Sequence, residues 1–248
     1  MTVFTDLTLV LREGMIGHPA HGRTPVRLAG TLDHAMYRHM DRRNPYDGER
    51  LSFANEQWVL NGNTGTHMDS VWHADPTSEF TADRMPVERG YGPAIWLDCS
   101  AVKGPGAEVT PDVLEEAEHR AGTVVEPGDI VLVHTGWSEN VDSDPDAYLT
   151  RHMGLTRAAG EWLRGRGVTT VGIDNATVET VAGDLQAPVH MNFLRPRSLG
   201  LHAGDFIAII ENLVHIDRIP SPRFTFVGMP LPFEGGSGSP IRAVALTQ

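Results

Sequence analysis

Between Asn61 and His73 the chain reads Asn-Gly-Asn-Thr-Gly-Thr-His-Met-Asp-Ser-Val-Trp-His. Four of these side chains can hold a cation or move a proton: Asn63, His67, Asp69 and His73. All four fall on odd positions, and an extended strand turns residues two, four or six apart to the same face. A helix would set positions 67 and 73 facing away from each other. Thr64, Gly65 and Thr66 also favour strand or turn. The expectation is one strand that aims an amide, two imidazoles and a carboxylate into a shared pocket. Imidazole and carboxylate bind zinc or a similar divalent ion, and a further imidazole carries protons near neutral pH. A lone histidine on such a strand would simply be solvated; His-x-Asp with a second histidine in phase points to a site.

The elements that position this stretch follow from periodicity and breakers. Asp6–Leu11 reads as a strand, and Arg12–Pro25 as a loop broken by glycines and prolines, with His18 and His21 in it. Thr31–Leu51 is polar and irregular, a long excursion of the lid or oligomer-contact kind, with His34 and His39 solvated. Ser52–Leu60 returns to strand, Phe80–Tyr91 has weak helical character, and Pro93–Ser100 is a buried strand. Thr110 caps a helix with Pro111 in its first turn that closes at Gly122. Ile130–Thr135 is a strand, Asp142–Asp146 a turn-rich acidic loop, and Leu155–Arg166 a helix with one apolar face. Val168–Ile173 and Phe206–Ile210 are strands, and the latter delivers Glu211 at its end. An acid at the end of a buried strand is costly unless it is paired or bound to a metal. Arg223–Pro230 and Ile241–Leu246 complete the strands, with Glu234–Pro240 as a tight turn between them. Helix followed by strand marks an α/β class, and no linker divides residues 1–248, so one domain is expected.

Composition narrows the partners. Twenty basic against 32 acidic residues give a net charge of −12 with no basic block, which argues against nucleic acid or an anionic membrane. The single cysteine, Cys99, sits in an apolar run and has no partner for an internal disulfide. No leader pattern opens the chain, and no apolar run approaches a membrane span, so a cytoplasmic protein is expected.

The central stretch also resembles a known family. The kynurenine formamidase-like, or cyclase, family carries His-x-Gly-Thr-His-x-Asp-x-Pro-x-His, and Gly65, Thr66, His67, Asp69 and His73 fit it. Asn63 stands where the family has its first ligand histidine, and Val71 replaces proline. Further similar runs are Pro127–Trp137, Val171–Asp174, Val189-His190, Ile209–Leu213 and Gly238–Val244, so the resemblance covers most of the chain from Asp6 onward.

The resemblance implies a swivelling β/β/α-type fold: a β-barrel-like mixed sheet with flanking helices, assembled as a homodimer or homotetramer. It places His67 and Asp69 on metal ligands, His73 on the general acid/base, and His190 and Glu211 on the downstream pair that completes the site. Glu211 would serve catalysis as well as the metal. The interval from His190 to Glu211 is longer than the family's usual one, which makes His202 a rival. Asn63 becomes a weak ligand, or a hydrogen-bond donor to the substrate carbonyl, and the early loop with His18 borders the pocket. The implied cofactor is zinc or manganese. The implied function is hydrolysis of an amide, formamide or lactone carbonyl in a small aromatic substrate. Two alternatives accompany it: ring closure of a polyketide-like compound by acid/base chemistry, with or without a metal since Asn63 replaces a ligand histidine, and an inactive ligand-binding relative.

Overall fold

The computed structural model describes residues 1–15, 26–36, 42–181 and 186–248. Its strands are β1 (Val3–Asp6), β2 (Arg27–Leu32), β3 (Asn55–Val59), β4 (His67–Asp69), β5 (Tyr91–Asp98), β6 (Glu108–Val109) and β7 (Ile130–His134). They continue as β8 (Gly154–Leu155), β9 (Thr170–Ile173), β10 (Ala208–Glu211), β11 (Arg223–Val227), β12 (Gly238–Pro240) and β13 (Val244–Thr247). The helices are α1 (Pro111–Ala121), α2 (Asn140–Ser143), α3 (Pro145–Thr150), α4 (Arg157–Gly165) and α5 (Pro188–Leu194).

Among the described residues, nine strands form one mixed sheet in the order β1-β13-β11-β5-β7-β9-β10-β4-β12. The middle strands β5, β7, β9 and β10 run parallel, while β11 and β4 flank them antiparallel. Parallel strands are covered on both faces and read as continuous apolar runs. Ile130-Val131-Leu132-Val133 and Ala208-Ile209-Ile210 are such runs.

Alternation divides these runs between two cores. Val131, Val133, Ile173 and Ile209 pack with Leu114 of α1, Leu163 of α4 and Phe193 of α5. Ile130, Leu132 and Ile210 join Met68, Phe224, Phe226 and Ala245. The second cluster takes side chains from six strands of the same sheet, so the sheet curls around it. A bridge from Thr8 to Leu213 ties the segment after β1 to the end of β10. The barrel-like mixed sheet with flanking helices is therefore present. Among the described residues, no helix is long and apolar enough to cross a membrane.

Several local expectations are corrected. Asn61–His73 is not one strand: only His67–Asp69 is extended, Gly65 turns the chain at φ 63°, and Val71–His73 forms a short 3-10 helix. The extended segment stops where its ladders stop, because β10 and β12 pair only with residues 67–69. The presumed turn at Glu234–Pro240 ends in the strand β12, which supplies one of those ladders. The irregular excursion begins inside a strand, since β2 pairs with β3 as a separate ribbon. The acidic segment around Asp142–Asp146 is helical: Asp144 accepts the Ala147 N–H and Pro145 opens α3, so its acids act as helix starters. Phe80–Tyr91 holds two 3-10 turns rather than one helix. Thr110 does precede α1, but its side chain makes no capping bond.

Candidate active site

β4 builds the centre. Met68 points into the barrel core, so His67 and Asp69 point to the opposite face, toward α5. In the antiparallel ladder Glu211 of β10 lies directly across from His67. Ile209, two residues earlier, packs on the helix side, which puts Glu211 on that side too. α5 then brings His190 over the same spot. All four residues are buried.

The imidazoles are fixed by their outer nitrogens. His67 Nδ1 faces the Gly65 carbonyl at 2.8 Å, and His190 Nδ1 faces Glu179 Oε2 at 2.7 Å. Each outer nitrogen then carries its proton and donates it, leaving the Nε2 lone pair for the interior. There His67 Nε2 lies 3.3 Å from Asp69 Oδ1 and 3.5 Å from Glu211 Oε2. His190 Nε2 lies 3.4 Å from Asp69 Oδ2 and 3.6 Å from Glu211 Oε1. Glu211 Oε1 also accepts the Val178 N–H at 2.8 Å.

This set fits a divalent ion. His67 Nε2 and Asp69 Oδ2 are buried and find no hydrogen-bond partner. Orphaned buried polar atoms are rare and call for an unseen partner. Two ligands, each about 2.1 Å from one ion in tetrahedral array, lie about 3.4 Å apart; His67 Nε2 has that spacing from Asp69 Oδ1 and Glu211 Oε2, and His190 Nε2 has it from the other two oxygens, Asp69 Oδ2 and Glu211 Oε1. His67, Asp69 and Glu211 form one ligand triad, and Asp69, His73 and His190 form a second that shares Asp69.

The protonation balance points the same way. Burial opposes a charge on His67, yet Asp69 and Glu211 outweigh it and raise the imidazole to about 9. Burial likewise opposes a charged His190, but Glu179 and Asp69 hold it well above the usual histidine range. Burial, then the charge of Asp69, pushes the Glu211 carboxyl up. Left to themselves, the carboxylates recruit protons where a cation would serve.

His73 comes from the 3-10 turn after β4, not from the strand. It is half-buried, and its ring centroid lies 5.8 Å from that of His190. Burial, reinforced by His190 and His67, lowers its pKa against the pull of Asp69. It is therefore a neutral imidazole at the edge of the charged cluster.

Other expected residues are placed differently. Asn63 donates from Nδ2 to Asp69 Oδ1 at 2.5 Å and accepts the Ser237 hydroxyl on Oδ1 at 2.9 Å. These two bonds make Asn63 a clamp between Asp69 and Ser237, and one N–H and one oxygen lone pair of the amide remain. A flipped amide would set two oxygens against each other, so the orientation is chemically fixed. His202 is exposed, and its backbone N–H bonds Asp205, so it is no rival to His190. Trp72, next to His73, is 43% exposed. His18, His21 and His39 lie outside the described residues.

Glu179 was not expected. It is buried and holds both the ring and the backbone N–H of His190. The signal was present: an acid between Val178 and Val181 is as costly to bury alone as Glu211 is.

The curled sheet and the buried carboxylate–imidazole centre define the class. A family model described as "Putative cyclase" matches residues 5–180, and the chain belongs to that family of enzymes. Isatin hydrolase of Roseibium aggregatum is 30% identical over 220 residues, 81% of this chain and 78% of that protein. Kynurenine formamidase of Bacillus mycoides is 25% identical over 181 residues, 73% of this chain and 74% of that protein. Among solved structures, isatin hydrolase A from Ralstonia solanacearum superposes with a TM-score of 0.77 at 27% identity, covering 100% of this chain and 92% of that one. The family match ends at residue 180, so His190 and Glu211 are joined to the site by the structure rather than by that match.

Proposed function

We propose that the chain is a metal-dependent hydrolase that opens the carbonyl–nitrogen bond of a small aromatic amide or formamide. The observation that carries this reading is the convergence of four buried side chains, with His67 Nε2 and Asp69 Oδ2 lacking a hydrogen-bond partner. The substrate class draws on the relatives, an isatin hydrolase and kynurenine formamidases. Both names denote aromatic compounds with an amide-type carbonyl.

His67, Asp69, His190 and Glu211 would hold the ion. A divalent ion there supplies Lewis acidity toward water and toward the carbonyl oxygen. Asn63 keeps Asp69 turned inward. His73, neutral at the rim, accepts a proton from the attacking water and returns it to the departing nitrogen. Its depressed pKa keeps it in the base form at neutral pH. The outer hydrogen bonds of His67 and His190 prevent either ring from rotating its lone pair away.

The test is elemental analysis of protein purified without chelator, followed by assays on isatin, N-formylkynurenine and simple aromatic lactones. The expected result is bound zinc or manganese, and turnover of an amide or formamide that chelator abolishes and metal restores. Protein that takes up no divalent ion even on reloading, and turns over none of these, would overturn the reading.

A further inference from the structure

We infer that Glu179 is the positioning residue that makes His190 a ligand, by gripping its backbone and its ring with one carboxylate. The inference rests on the metal reading above and extends it to a residue outside the ligand set. His190 is the third residue of α5, and the first N–H groups of a helix have no partner within it. Ala187, which precedes the helix, sits at φ 50° and supplies no side-chain cap. Glu179 takes that place from outside the helix: Oε1 accepts the His190 backbone N–H at 2.7 Å. The same carboxylate takes the ring proton, with Nδ1 at 2.8 Å from Oε1 and 2.7 Å from Oε2. One side chain thus fixes where α5 begins, which tautomer His190 adopts and which way Nε2 points.

Glu179 is itself held. Thr177 Oγ1 donates to its Oε2 at 3.1 Å, and its backbone bridges to Leu155. Gly154 lets that backbone approach: a Cβ there would stand 2.3 Å from the Glu179 carbonyl. Glu179 also lines a cleft of about 150 Å³ with Glu108, Thr156, Arg157 and Thr180, and its carboxylate meets His190 at Nδ1 while Asp69 faces Nε2. It therefore supports the ligand from behind without reaching the metal position.

The experiment compares wild type, Glu179→Gln and Glu179→Ala for Zn(II) and Co(II) affinity by chelator competition, and for the visible spectrum of the Co(II) form. Glutamine keeps an acceptor but loses the charge that polarises the imidazole. Loss of an outer partner weakens metal binding by about 10–100-fold. The expected result is a rise of that order in the Co(II) and Zn(II) dissociation constants for Glu179→Gln, with an unchanged far-UV spectrum. Glu179→Ala should bind more weakly still, with an altered Co(II) spectrum. If Glu179→Gln and wild type bind equally and give the same Co(II) spectrum, the inference is wrong while the metal reading stands. If wild type binds neither ion, the metal reading fails and this inference fails with it. Should Glu179→Ala not fold, the Glu179→Gln comparison decides.

Discussion

Asn63 and Asp69 are joined by a 2.5 Å hydrogen bond from amide nitrogen to carboxylate oxygen, with the amide oxygen held by the Ser237 hydroxyl. Asn63 is therefore an anchor for the carboxylate shared by both ligand triads. Removing a buried donor from a charged acceptor costs about 1–3 kcal/mol. Asn63→Ala should lower stability by that amount in urea unfolding and weaken metal binding. Asn63→Asp should be worse on both counts, because it sets two carboxylates together. An Asn63→Ala protein with the wild-type unfolding midpoint and metal affinity would show that the bond does nothing.

His73 should separate chemistry from metal holding. A positioned acid/base group contributes about 10²–10⁴ in rate. His73→Ala should lower kcat by that range while the protein still carries its ion on His67, Asp69, His190 and Glu211. The measurement is kcat beside metal content in the same preparation. Loss of the ion in proportion to activity would instead make His73 a ligand.

The cluster should link stability and metal affinity to pH in opposite senses. His67 is raised from 6.5 to about 9 in the fold. In metal-free protein its stabilising contribution is full below about pH 6.5 and is lost as pH rises through 9. His190 and Glu211, also raised, act in the same sense. Asp69 and Glu179 are depressed, so their contributions are lost only in acid, well below this window. The melting temperature of metal-free protein should therefore fall between pH 6.5 and 9. Metal affinity should rise across the same range, by about tenfold per pH unit for each proton displaced. A metal-free melting curve that is flat over this window would contradict the assignment.

Cys99 is buried at the end of the central sheet, and burial, then Asp98 and Asp174, pushes its thiol up to about 12. The thiolate is the reactive form. Native protein should react with a thiol-specific reagent at least about a hundredfold more slowly than urea-unfolded protein. Rapid native labelling would mean that this part of the core opens readily.

The residues 61–73 alone specified that His67 and Asp69 share a face, because the alternation of a strand follows from the extended, pleated backbone and needs no partner. Glu211 was legible for a related reason: an acid closing a run of buried apolar residues must meet something. The family motif was legible as well. Tertiary structure decided the rest. Asn63 could not be read as an anchor without Ser237, 174 positions away. His73 arrives through a turn because the ladders end at Asp69, and only strand pairing sets where a ladder ends. The choice of His190 over His202 depends on where α5 docks, and Glu179 is visible only once that helix is in place. Short-range periodicity is written in the side chains themselves, whereas a site assembled from four separate segments exists only when sheet register and helix docking bring them within a few ångströms.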